Sequence, residues 1–317
     1  MDFTLTADQE LLRDTARKLL ARECRPALVR AHIDDHDAYL PLWRHLRDYT
    51  ALGHGPATDL CLFLEETGFA AAPGPFFATA ALFAPLTGED ASGTAAVAGA
   101  DGRWVPNDEP VKTFVLEADR VDRIAIVGTG PALAVIDRPP PERLRYVATV
   151  DFSRRVFEVD TTGLALDWKP VVLEPWFARA SVALAAEMVG TARRIFTMAL
   201  DYAKEREQFD VPIGSFQAIQ HKLAEMSLAL ERAVAAVQYA AMTVDAASPD
   251  AIVAAHVAQA AAGEACRRIL KDGIQIHGGI GYTWEHDLHL YLRRATADEY
   301  LLGSTGWHHD QIADSLF

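Results

Sequence analysis

Arg206-Glu207-Gln208-Phe209-Asp210-Val211-Pro212-Ile213-Gly214-Ser215 and, about seventy residues later, Gly273-Ile274-Gln275-Ile276-His277-Gly278-Gly279-Ile280-Gly281-Tyr282-Thr283 are polar, glycine-punctuated interruptions at the ends of long helical patterns. A purely structural bundle has no need of them. Arg206 offers a planar guanidinium suited to a phosphate or pyrophosphate, and Phe209 a flat apolar face on which a ring can stack. Gly278, Gly279 and Gly281 let the backbone come close to a ligand, and Gln275 adds an amide beside them. The parts suit a dinucleotide. Read without its surroundings, an arginine three residues before a phenylalanine is more often a surface cation above a core ring, so the pattern takes its weight from the rest of the chain.

Outward from these two stretches the chain reads as helix. Residues 177–203 form one long helical pattern with Leu184, Val189 and Ile195 among its apolar positions. Residues 216–244 are the next, Pro249 interrupts, and residues 251–270 make a third before the glycine turn, with a final helix beginning near Asp287. Helices of these lengths bury their apolar faces as a bundle. At the other end, Thr6 precedes Leu11, Leu12, Ala16, Leu19 and Leu20 at helical spacing, with Asp8 and Glu10 in the first turn, where the helix dipole favours acids. Residues 41–52 and 60–69 read as further helices. Between the two helical parts, "KTFVLEA", "RIAIVG", "ALAVID", "RLRYVATVDF" and "RRVFEVD" are short, β-branched and punctuated by glycine and proline, the signature of a small β-domain. Gly128-Thr129-Gly130 follows a strand, but Pro131 comes next, no third glycine appears and another strand follows, so a Rossmann phosphate loop is not expected. The reading is an α+β chain with an N-terminal helical domain over 1–89, a middle β-domain over 90–169 and a C-terminal helical bundle over 170–317.

The chain has 317 residues, half of them hydrophobic, which is ample for a sizeable core. Its formal charge of -14 argues against nucleic acid or an anionic membrane as partner. Cys24, Cys61 and Cys266 stand far apart without metal-ligand spacing, as expected of a reducing compartment. No apolar run approaches membrane-spanning length, and the expected location is the cytoplasm.

"REQFDVPIGSFQAIQH" from Arg206 to His221, followed by "DGIQIHGGIGYTWEHDLHLYLRR", resembles the C-terminal domain of the acyl-CoA dehydrogenase family. The resemblance implies FAD as cofactor, with Arg206, Phe209, Gln275 and Gly279 contacting the adenosine and pyrophosphate end of a flavin held mainly by a neighbouring subunit. It covers well over half the chain, and "LEETGFAAAPGPFFATA" is similar to the family stretch beneath the acyl pocket. Three departures accompany it. The segment "HLRDYTALGHGPATDLC" is shorter than its family counterpart, which carries a substrate-lining glycine-rich loop. Neither family segment that cradles the flavin ring is visible in the β-domain. Finally, dehydrogenation needs a carboxylate over the substrate α-carbon as general base, and the two family positions for it align with Leu302 and Ala180.

Neither residue can take a proton. Of the acids nearby, Glu187 lies two helical turns, about 10 Å, beyond Ala180. Asp298 and Glu299 precede Leu302 by one turn. Glu299 and Glu187 are the fallback bases, and the expectation is that all these acids are structural or solvated. Glu285-His286 with His289, and His308-His309-Asp310, invite a metal reading, but no complete ligand set assembles and the tail histidines are expected at the surface.

Taken together, the departures and the retained motif resemble the short, non-catalytic subunit of the actinobacterial heterotetrameric (α2β2) steroid acyl-CoA dehydrogenases. The resemblance implies a full-length catalytic acyl-CoA dehydrogenase as partner, a bulky steroid-derived acyl-CoA bound mainly by that partner, and one FAD per pair. Two alternatives stand beside it: a self-sufficient dehydrogenase with a relocated base, and a scaffold that contacts no flavin.

Overall fold

The structure, a computed structural model, describes residues 3–316. Helix α1 (Ala7–Glu23) starts where Thr6 predicts: the Gln9 N–H donates to Thr6 Oγ1 at 3.3 Å and the Thr6 N–H to Gln9 Oε1 at 3.1 Å, a reciprocal cap that satisfies two free amides. A second helix, α2 (Pro26–Asp34), is missing from the sequence reading although Pro26 sits at its first turn, a favoured place for proline. The segment read as one helix over 41–52 is α3 (Leu40–Leu46), tightening into a 3-10 helix (Arg47–His54). Helix α4 (Ala57–Ala70) follows, then a π-helical turn (Ala78–Phe83) running into α5 (Ala84–Thr87).

Two sheets lie between the helical parts. One has the order β1 (Gly93–Ala96), β3 (Arg123–Gly128), β4 (Ala132–Asp137), β7 (Lys169–Pro170). The other has the order β2 (Val111–Leu116), β6 (Val156–Asp160), β5 (Leu144–Val147). Strands β3 and β4 are antiparallel, with Gly128 opposite Ala132, so Gly128-Thr129-Gly130 belongs to a hairpin turn rather than a phosphate loop. Ala96, Val115, Ile124, Ile126, Phe157 and Val159 form a small apolar core of their own.

The 33-residue helix α6 (Leu173–Glu205) is the axis of the molecule, packing on α4, on α7 (Gln217–Asp245) and on α8 (Ala251–His277). Glycines on both helices set its distance from α4. A Cβ on Gly68 would lie 2.0 Å from the Glu187 carbonyl oxygen, and one on Gly190 1.8 Å from that of Glu65. The two backbones are therefore as close as they can be. Helix α8 runs seven residues past the expected Leu270 boundary. Gly273 is not a break but a packing position, since its Cβ would meet Ile195 of α6 at 2.8 Å. The final helix divides into α9 (Leu288–Asp298) and α10 (Thr305–Leu316). Among the described residues no helix is long and apolar enough to cross a membrane.

Candidate functional site

Helix α6 ends at Arg206, whose backbone turns extended and enters a two-stranded hairpin of β8 (Glu207–Gln208) and β9 (Val211–Pro212). The Arg206 carbonyl accepts from the Ile213 N–H at 2.8 Å, which ties the hairpin to the helix end. At its tip, Phe209 and Asp210 are both left-handed, with φ of 57° and 64°. A two-residue hairpin turn demands this backbone, yet asparagine or glycine normally supplies it. Phenylalanine there costs about 1–2 kcal/mol. The Phe209 side chain is 89% exposed, with the Phe216 ring edge-on to it and the ring centroids 6.3 Å apart. Arg206 is also exposed, and its guanidinium makes no hydrogen bond or ion pair among the described residues.

The second motif sits on the last turn of α8 and the 3-10 turn that follows (Gly278–Tyr282). Gln275 and Gly279 are exposed, and a Cβ on Gly279 would meet nothing within 4 Å. The backbone there is open to an approaching group. Tyr202 and His277 bring the two motifs together: their rings stack at 4.7 Å and 25°, joining the last turn of α6 to the last turn of α8. The sequence reading missed both residues. Tyr202 lies one turn before Arg206 on the same helix face, and that spacing was the available signal. Burial keeps His277 below the ordinary histidine range, and its Nδ1–H donates to the Gly273 carbonyl at 2.8 Å. Beside the turn, the Arg293 guanidinium lies over both the Phe152 and Trp284 rings, at 4.5 and 5.1 Å.

The base positions look different. Leu302 is buried with φ of 59°, and Ala180 is buried in α6. Glu187, the first fallback, faces inward at the centre of a buried ionic cluster. Arg294 Nη1 donates to its Oε1 at 3.1 Å and Arg154 Nη2 to its Oε2 at 2.6 Å. Arg294 Nε also donates to Asp151 at 2.6 Å, and Arg154 Nη1 to Asp298 Oδ1 at 2.5 Å. Two arginines and three carboxylates thus join the β-domain, α6 and α9. Burial, with Glu187 nearby, pushes the Asp298 carboxyl up to about 7 against the pull of Arg154. Burial would also raise Asp151, but Arg294, Arg154 and two bonds from Ser153 outweigh it and hold that group below its usual range. Glu299, the second fallback, pairs with Arg267 at 2.8 Å.

Of the tail histidines, His309 is exposed as expected and His308 is not. His308 is buried, with its Nδ1 2.8 Å from His256 Nδ1. Burial and that neighbour push it down to about 3. A neutral pair sharing one hydrogen bond accounts for the contact.

Helical ends around a small β-region, with α6 as the common axis, define the fold class, and the comparisons place it. A family model described as the acyl-CoA dehydrogenase C-terminal domain matches residues 170–317. The chain is 32% identical to the acyl-CoA dehydrogenase IpdE2 of Mycobacterium tuberculosis, with 95% of each chain covered. It is also 32% identical to the IpdE2 of Mycolicibacterium smegmatis, over 94% of this chain and 96% of the relative. Among solved structures it is similar to a chain of the ChsE4-ChsE5 complex of M. tuberculosis, with a TM-score of 0.85 at 22% identity, covering 100% of this chain and 99% of that one. A chain of the Tcur3481-Tcur3483 steroid ACAD gives 0.85 at 24% identity, covering 98% of both. The chain belongs to the acyl-CoA dehydrogenase family, whose cofactor is FAD.

The residues present fit that group at one end. Arg206, Phe209, Gln275 and the open Gly279 backbone offer charge, a stacking face, an amide and close approach, which is the donor set an adenosine pyrophosphate needs. At the other end, Leu302 and Ala180 offer no group that exchanges protons.

Proposed function

We propose that this chain is the non-catalytic subunit of a two-chain acyl-CoA dehydrogenase, lending Arg206, Phe209, Gln275 and Gly279 to an FAD held mainly by a full-length catalytic partner. Phe209 carries the proposal. An aromatic ring that is almost fully exposed, on a backbone that disfavours it, gains nothing from the fold, and such outliers mark places where something else is contacted. Arg206 binds the pyrophosphate, Phe209 covers the adenosine end, and Gln275 with the Gly279 backbone orients it. FAD, when bound, supplies the hydride acceptor. The proton acceptor comes from the partner, because Leu302 and Ala180 cannot serve and Glu187 is held on both oxygens by arginines. The chain's own activity alone is therefore nil.

The substrate class we assign is supported by a structural neighbour. A solved neighbour is described as a steroid ACAD, and a ring-bearing, steroid-derived acyl-CoA is the substrate we assign to the complex, which introduces the α,β double bond. The experiment is Arg206→Ala in the co-purified complex, read as flavin per pair after gel filtration. The proposal expects flavin to be lost while the two chains stay together. Full flavin retention would make the chain a scaffold instead.

A further inference from the structure

The segment leading into α1, the first half of α4, the middle of α6 and the second half of α7 enclose a cavity of about 300 Å³. Its lining includes neither flavin motif and no member of the ionic cluster; Glu187, about 100° round α6 from the lining residue Ala186, points into that cluster instead. The walls are aliphatic. Leu5, Leu62, Val189, Val234, Val237 and Met242 line it, and Phe3 supplies the single ring. Ala186 and Ala241 also face it, side chains too short to fill the space. The backbone contact of α4 with α6 at Gly68 and Gly190 fixes two of these walls before anything binds.

Most polar groups at the cavity are committed to the fold. Gln9 accepts from the Thr6 N–H at 3.1 Å and donates to Asp59 at 2.9 Å, and the Thr58 hydroxyl donates to Asp245 at 2.8 Å. Glu65 pairs with Arg193 at 2.7 Å. Gln238 differs: it is half-buried on α7, and its side-chain amide makes no hydrogen bond among the described residues. An amide both donates and accepts, which suits a neutral head such as a hydroxyl or a carboxamide. A carboxylate head would instead enter beside Glu65, whose partner Arg193 is shared with Glu66. Burial already raises the Glu65 carboxyl above its ordinary range, so the site disfavours negative charge.

We propose that this cavity binds an uncharged aliphatic molecule of roughly ten non-hydrogen atoms, at about 30 Å³ each, with a hydroxyl or carboxamide head on Gln238. Without flat walls to stack on, a ring gains no more than its area, whereas the flexible Met242 moulds itself to a chain. The inference goes beyond the two-chain reading and does not depend on it, because none of its residues belongs to the Arg206, Phe209, Gln275 and Gly279 set.

The test is calorimetric titration of the full chain with 1-octanol, octanoate and 2-naphthol, with the methionine methyl signals followed by NMR. The chain has 5 methionines, so Met242→Leu assigns the reporting signal by its disappearance. The expected result is saturable binding of one 1-octanol per chain, about tenfold or more tighter than octanoate and about threefold or more tighter than 2-naphthol, with the Met242 methyl signal shifting as the site fills. Gln238→Leu, which removes the polar partner at a half-buried position, should weaken 1-octanol by about three- to tenfold. Val234→Trp, which fills the cavity, should weaken it by about tenfold or more. Circular dichroism checks that both variants are folded, and the Gln238→Leu and methyl readouts decide the matter if Val234→Trp is not. Octanoate or 2-naphthol binding as tightly as 1-octanol, no saturable binding, an unmoved Met242 methyl signal, or indifference to Gln238→Leu would overturn the assignment.

Discussion

The middle of helix α6 and its C-terminal end treat charge in opposite ways. At Glu187 both carboxylate oxygens are claimed by arginines, every partner is buried, and three segments of chain converge. About five turns further on, Arg206 and Phe209 stand in solvent, with the Phe216 ring edge-on to the phenylalanine. The fold has an evident use for the first set and none for the second. A charge that a chain needs for its own stability is paired inside it, and it is the unpaired, costly exposed set on which the proposed flavin contact rests.

The inner region is the place to break the comparison by stability. Arg294→Ala removes the arginine ion-paired with Asp151 and one of the two paired with Glu187, leaving both carboxylates buried, and the expected loss is about 3–5 kcal/mol in urea unfolding followed by circular dichroism. A loss below about 1 kcal/mol would mean that the cluster is not structural. Gly190→Ala attacks the α4–α6 contact that positions Glu187. With a Cβ facing the Glu65 carbonyl, the expected cost is about 1–3 kcal/mol or more by the same measurement.

The cluster also predicts a pH dependence of unusual sign. Asp298 is raised from an ordinary 3.8 to about 7, so the folded chain holds this proton more tightly than the unfolded one. Its contribution is fully present below about pH 4 and is lost as pH rises through 7. Asp151, held below its ordinary range, works in the opposite direction, so the informative quantity is a difference. Asp298→Asn should flatten the fall in stability between about pH 4 and 7 relative to the parent chain, read from urea midpoints across that range. Identical slopes would show that Asp298 does not carry the proton. The outer region sharpens the comparison with the smallest effect: Arg206→Ala should shift stability by less than about 0.5 kcal/mol, because no internal partner is lost.

The outer region drew the sequence reading because its message is local. Arg206 and Phe209 are three residues apart, Gln275 and Gly279 four, and the resemblance rests on such runs. The structure adds that the two runs meet through Tyr202 and His277. The Thr6 cap and the β-strand pattern were legible for the same reason. The ionic cluster was not, because Asp151, Arg154, Glu187, Arg294 and Asp298 are scattered over almost half the chain, and each alone reads as a surface charge. Gly273 was taken for a break because a glycine inside a helix weakens it, and only the approach of Ile195 shows why it is tolerated. His308 was placed at the surface for want of His256, fifty-two positions away. Contacts of long sequence separation are what a single sequence conceals.

The central claim is that the chain holds half of a flavin site, and visible absorbance across the flavin bands tests it most directly. Purified alone, the chain should be colourless; co-purified with its dehydrogenase partner, the complex should be yellow, with about one flavin per pair. A lone chain that is yellow, and that bleaches when an acyl-CoA is added, would contradict the account.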